Sequence, residues 1–300
     1  MPNIQYKEIN FRQSSLDLIK LVNQVIQEYQ AQGYELTLRQ AYYQLVARGY
    51  IPNNERSYKN IGNLINDGRL AGLIDWYAIT DRTRNLRGNS HWDTPAEVIE
   101  SAKYSYRLDK WEGQPNYVEV WVEKDALVDV VGQACRPLDV PFFSCRGYTS
   151  QSEMWAAAQR FIRRDDREQR IIIHLGDHDP SGIDMTRDIQ ERLEMFGADV
   201  IVKRVALTME QIDFYTPPPN PAKLTDSRCW GYIQKFGNES WELDALEPNV
   251  ITDLITEQVT MYRDDTLYQQ VCDQERREKR ELQLLCDNYS EAVSFLKEGY

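Results

Sequence analysis

The sequence predicts an α/β protein, a parallel sheet covered by helices on both faces with helical segments before and after it. Three observations carry this. The run Ile171 to Leu175 is apolar and β-branched without alternation, the pattern of a strand buried on both faces. From Tyr117 to Val205 strand-like and helix-like segments take turns at the spacing of βαβ units. Outside that region the apolar residues recur mainly at helical spacing.

Taken in order, Ser14 to Ala31 is a helix. Ser14 or Ser15 can cap it, and Leu18, Leu21, Val22, Val25 and Ile26 form its stripe. Thr37 caps a second helix that runs to about Ala47 and is stopped by Gly49 and Pro52. A third spans Ser57 to Leu70, with Ile61, Leu64 and Ile65 facing inward. Ile74 to Ile79 and the basic segment Asp81 to Arg87 read as a hairpin. Three helices and a basic strand pair are the order of a winged-helix domain, here residues 1–92, and such domains usually touch DNA. Asp93 to Tyr106 reads as a connecting helix and Trp111 to Asn116 as a linker, together 93–116.

The alternating region follows as residues 117–240. Its strands are Tyr117 to Val122, Val140 to Ser144, Ile171 to Leu175 and Val200 to Val205. Its helices are Asp125 to Ala134, Ser150 to Arg163 and Ile183 to Met195. A proline-rich loop at Pro217 to Pro221 leads into a stretch of mixed character. The remainder, 241–300, is a helical extension, with one helix near Val250 to Tyr262 and charged helix from Leu267 to Leu296.

Composition sets limits. No apolar run reaches the roughly 18 residues of a membrane span, and the polar first residues lack a signal peptide's apolar core. The five cysteines are scattered and never form C-x-x-C, which argues against a disulfide framework or a zinc site. The expected location is therefore a reducing cytoplasm, at the nucleoid in a prokaryote. The net charge of −12 is unevenly spread. Thr37 to Arg87 holds eight basic residues against four acidic, whereas Trp241 to Tyr300 holds fourteen acidic against six basic. Polyanion contact therefore belongs to the first third, through Arg48, Lys59, Arg69, Arg82, Arg84 and Arg87.

The chemistry concentrates where the central strand ends, at Gly176-Asp177-His178-Asp179-Pro180-Ser181-Gly182. Gly176 frees the backbone and Pro180 suits the first turn of a helix. Asp177 and Asp179 thus stand at the carboxyl end of a strand, where open α/β sheets place their ligands. Glu123 follows the first strand in the same way. Parallel neighbours bring such ends together, so Glu123, Asp177 and Asp179 form one candidate metal site. Oxygen-only donors suit Mg²⁺ or Mn²⁺. His178 reads as structural, and Lys124 as an exposed lysine after a strand or a phosphate contact.

A strand-end glutamate followed by an Asp-x-Asp strand end resembles the toprim domain, the Rossmann-like unit of topoisomerases, bacterial primases and several nucleases. With Arg39-Gln40-Ala41-Tyr42-Tyr43 ahead of it and Arg146-Gly147-Tyr148 between the acidic elements, the order resembles a particular family. That family is the A subunit of type IIB topoisomerases (topoisomerase VI) and the related meiotic double-strand-break protein. The resemblance covers roughly Thr37 to Leu207; Ser181 stands where the family usually carries tyrosine, and Thr149-Ser150 where it usually has Pro-Asp.

The resemblance implies a winged helix, a toprim domain and Mg²⁺-dependent DNA cleavage. Tyr43 would be the nucleophile that leaves a 5′-phosphotyrosyl end, and Arg39, four residues earlier on the same helix face, would stabilise the developing charge. It further implies a homodimer, since the tyrosine of one subunit works with the metal of the other, and a separate ATPase subunit for strand passage. Other readings stand beside it. One is a toprim nuclease that activates water with the same acids. Another is a non-catalytic DNA-binding or scaffold protein, and a third is RNA processing. Tyr42 and Tyr43 also suit simple packing against Leu38, Leu45 and Val46.

Overall fold

The computed structural model describes residues 3–34, 36–79, 89–222 and 225–298. Three helices open the chain: α1 (Gln13–Ala31), α2 (Leu38–Ala47) and α3 (Glu55–Leu70). They close around Tyr29, Leu36, Leu45 and Ile61. Thr37 starts α2 with a capping box, its hydroxyl accepting from Gln40 N while the Gln40 side chain accepts from Thr37 N.

Ile74 to Ile79 is not a strand, contrary to its β-forming composition. Asp75 folds it into a turn, accepting from Tyr77 N at 2.9 Å through its carboxylate and from Ala78 N through its carbonyl. Ile74, Ala78 and Ile79 then plug the helical core, leaving one bridge, Leu36 to Ile79. The other half of the expected hairpin, with Arg82, Arg84 and Arg87, lies outside the described residues.

Next come α4 (Pro95–Ser105), β1 (Asn116–Val122), a 3-10 turn and α5 (Val128–Leu138), β2 (Phe142–Ser144), α6 (Gln151–Ile162), β3 (Gln169–Leu175), α7 (Pro180–Met195) and β4 (Ile201–Ala206). The four strands make one parallel sheet in the order β2-β1-β3-β4. Alternate side chains serve two cores, as a doubly covered sheet requires. Val118, Val120, Ile171 and Ile173 face α5, and Trp121 and Ile172 face α6 and α7. The last five residues of each central strand are buried, and the fold class is mixed α/β around a parallel sheet.

The chain continues through α8 (Met209–Tyr215), β5 (Asn220–Pro221), α9 (Cys229–Phe236) and β6 (Glu239–Ser240), where β5 and β6 pair antiparallel. The short α9 was hidden in the mixed stretch of sequence, and α8, ahead of the proline-rich loop, was not anticipated. α10 (Pro248–Thr260) lies on the face shared with α5, and Trp241, Leu243, Ile251 and Ile255 belong to that core. α11 (Asp265–Asp287) packs on α4, with α12 (Tyr289–Glu298) after it. Among the described residues no helix is long and apolar enough to cross a membrane.

Candidate functional site

β1 and β3 run in register from Asn116 beside Gln169 to Val122 beside Leu175, so Glu123 and Gly176 leave the sheet together. Glu123 N extends the ladder, donating to Leu175 O at 2.9 Å. The Glu123 side chain crosses to the neighbouring turn, where its Oε2 accepts from Asp177 N at 2.9 Å. Glycine makes room for it. A Cβ on Gly176 would lie 2.9 Å from Glu123 Oε2, and one on Gly182 would lie 2.3 Å from Asp177 O. Arg204 of β4 fastens the turn from behind, donating to Gly182 O at 2.8 Å and to Asp177 O at 2.6 Å. Gly182→Ala is therefore expected to cost about 3 kcal/mol, since the clash is with backbone that cannot rotate away. A fall in Tm measured against wild type checks it.

Asp177 is buried, its Oδ1 accepting from Leu243 N at 2.8 Å. Lys124 reaches the same oxygen with Nζ at 2.7 Å, Asp244 Oδ1 at 2.8 Å, and Glu242 as well. Arg39 of α2 completes the network, with Nε 2.7 Å from Asp244 Oδ2 and Nη2 2.6 Å from Glu242 Oε2. Asp177, Glu242 and Asp244 thus each offer an oxygen within 4.8 Å of the others.

Three carboxylates face two cations, which leaves one negative charge in a buried place. Burial pushes the Asp177 pKa well up; Lys124 opposes this, and Glu242, Glu123 and Asp244 add to the rise. Burial also works to raise Glu242, but Lys124 and Arg39 outweigh it and hold that carboxylate at about 2. The Lys124 ammonium stands among the three acids, and their all-oxygen donor set is one that could hold Mg²⁺ or Mn²⁺.

The three acids that could hold a metal ion share one member with the expected Glu123, Asp177 and Asp179. Asp177 is common to both. Glu123 supports the backbone of the turn, and burial raises its pKa most, with Asp179 adding to the rise. Asp179 caps α7, its Oδ1 accepting from Gly182 N at 2.7 Å. Its charge is thereby spent partly on the helix N-terminus. The reading of Lys124 as an exposed lysine fails, because its side chain is only 14 % exposed. Glu242 and Asp244 were missed. They follow α9 in a turn of 3-10 helix that folds back onto the sheet's end, which no local spacing marks.

Beside the network lies a cleft of about 400 Å³, lined among others by Arg39, Tyr43, Tyr58, Asp179 and Glu242. It brings Tyr43 and Asp179, far apart in the chain, to one space. Tyr43 is 6 % exposed, edge-on to Tyr42 at 5.2 Å between ring centres, with the Arg39 guanidinium 5.6 Å over its ring. Burial pushes the phenol's pKa up, Glu242 and Asp244 push it further, and Arg39 and Lys124 pull it back only in part. Resting Tyr43 is accordingly a neutral phenol. Tyr42 is bound into the loop after α2, donating to Asn53 Oδ1 at 3.0 Å. A second cavity of about 300 Å³ is lined by Arg39, Glu123, Lys124, Arg146 and Gly147, so Arg39 borders both spaces.

Of the expected DNA contacts, the three among the described residues each have a partner within the chain. Arg48 pairs with Glu28 at 2.6 Å, and exposed Lys59 pairs with Glu55 at 2.7 Å one turn away on α3. Arg69 donates to Trp76 O at 3.0 Å and lies over the Trp76 ring, closing the turn after α3.

Both histidines near the site are structural. His178 sits among Tyr232, Phe236 and Trp241, its Nδ1 2.8 Å from Tyr232 Oη, and burial lowers its pKa to about 4. His174 in β3 is fully buried against Thr186, and burial, then Arg204, lowers its pKa to about 3. The sign follows directly. Both are neutral in the fold, whereas the unfolded chain takes protons below about pH 6.5. Stability is full above that value and is lost as pH falls from about 6.5 toward 4, by several kcal/mol. Tm measured against pH is expected to fall across that window, and less steeply in His174→Gln.

Compared with known protein families the chain matches no family model, and compared with curated proteins it matches none.

Proposed function

We propose that this chain is a toprim-type, divalent-metal-dependent DNA-cleaving protein on the plan of the topoisomerase VI A subunit. Its N-terminal helices act as the winged-helix DNA contact. The observation that carries the reading is the shared cleft. Tyr43 and Arg39 from α2 face Asp179 and Glu242 from the carboxyl rim of the sheet across one space. Asp177, Glu242 and Asp244 would hold the ion, with Glu123 and Asp179 beside them. A bound Mg²⁺ or Mn²⁺ supplies Lewis-acid stabilisation of charge on the scissile phosphate and the departing oxygen.

The protein's own groups do the rest. Tyr43 Oη forms the new bond to phosphorus while the bond to the 3′ oxygen breaks. The phenol gives up its proton and the 3′ oxygen gains one, so the ester count is conserved and religation can follow. Arg39 must loosen from Glu242 or Asp244 to help the phosphate, and a metal ion taking over those carboxylates would free it. The cleft already holds Tyr43 and the acids of one chain, which departs from the family's arrangement of one subunit's tyrosine with the other's metal; the reading still includes a homodimer, and a separate ATPase subunit where strands are passed.

A second reading has its own support. Tyr43's raised pKa and Arg39's two ion pairs disfavour a phenolate, which favours activated water as the nucleophile with the same acids. Supercoiled plasmid incubated with the protein and Mg²⁺ or Mn²⁺, stopped with detergent and run with and without protease, tests both. Cleavage that needs metal supports the proposal, and a protease-dependent band shift assigns the nucleophile to tyrosine. No metal-dependent cleavage under either ion overturns it.

A further inference from the structure

At the opposite end of the sheet, where β1, β2 and β3 begin, lies a cavity of about 630 Å³ that the cleavage chemistry does not use. Its size is that of a small-molecule site. Four cations border it, Arg107, Lys110, Arg136 and Arg164, against two acids, Asp109 and Asp139. In a chain of net charge −12 this local excess runs against the overall balance.

The acids do not neutralise it. Asp109 accepts from Trp111 N at 2.9 Å and Asp139 from Lys110 N at 3.0 Å, so both shape the backbone of the loops. Their ion pairs across the cavity are long, 3.9 Å from Asp109 to Arg164 and 4.0 Å from Asp139 to Lys110. Lys110 has a further partner in Glu275 at 3.4 Å. Arg107 donates to the carbonyls of Tyr104 and Tyr106. Arg136 has no carboxylate partner among the described residues and lies over the Phe142 ring at 5.6 Å. Arg164 lies over Tyr117 at 5.2 Å. Two guanidiniums held on aromatic faces keep their outer N–H groups in place for an acceptor.

We propose that this cavity binds a phosphate-type polyanion, a phosphoanhydride such as pyrophosphate or the phosphates of a nucleotide. Arg136 and Arg164 provide the forked donors and Lys110 a point charge. Planar guanidinium forks match phosphate oxygens two at a time, which a single lysine does not. The site is separate from the acid rim, so its occupancy is independent of the proposed cleavage.

Isothermal titration of the full-length protein with pyrophosphate, without divalent metal, tests this. Saturable binding is expected that weakens as salt is raised. Arg136→Gln and Arg164→Gln are each expected to weaken it by roughly tenfold. Both side chains are at the surface of the fold, and an unchanged Tm in each variant confirms that the fold is kept. Lys20→Gln, at an exposed position on α1, is expected to leave binding unchanged. An adenosine nucleotide and a short single-stranded oligonucleotide, added as competitors, separate a free polyphosphate from a strand's backbone as the source of the anion. Absence of binding, or binding that survives both arginine substitutions, overturns the proposal.

Discussion

Lys124→Met is expected to destabilise the protein by about 3–5 kcal/mol at neutral pH, the cost of leaving buried carboxylates without their partner. Lys124 is the only group that touches Asp177, Glu242 and Asp244 together among the described residues. Its removal leaves Arg39 alone against three acids, with Asp177 fully buried. In a chain of this size the loss corresponds to a fall in Tm of roughly 5–8 °C. Millimolar Mn²⁺ is expected to return part of it, because an ion that binds only the folded state stabilises by mass action. Scanning fluorimetry of the variant with and without Mn²⁺ makes the measurement. A variant as stable as wild type would mean that the ammonium is not neutralising the cluster.

Tyr43→Phe separates the two chemistries with a similarly large effect. Under tyrosine attack the variant is expected to lose cleavage by more than about a thousandfold, the scale seen when a covalent nucleophile is deleted. No DNA ends would then be linked to protein. The hydroxyl is small and its ring stays packed against Tyr42 and under Arg39, so the fold is expected to persist. Cleavage retained at near wild-type rate, with free ends, would assign the step to water.

The sheet was legible because burial on both faces writes itself into unbroken apolar runs such as Ile171 to Leu175. The helix cap at Thr37 was equally plain, since its side chain does a local job a few residues away. Ile74 to Ile79 misled because β-branched residues serve any core, and Asp75 turns the chain before a strand can extend. The candidate site was half visible. Glu123 and Asp177 are brought together by strand register, which sequence order predicts. Lys124, Glu242 and Asp244 meet through a loop folded back from far downstream, a contact that no local spacing encodes. The direction in which Lys124 points is decided by those two acids, so reading it alone gave the wrong surface.

The account rests on a rim of buried carboxylates that holds a divalent cation, and Mn²⁺ titration followed by electron paramagnetic resonance tests it most directly. Wild-type protein is expected to bind Mn²⁺ saturably, with binding lost in Asp177→Asn and strengthened in Lys124→Met, where the competing ammonium is gone. Failure of wild type and Lys124→Met alike to bind the ion, or equal binding by Asp177→Asn, would contradict the account.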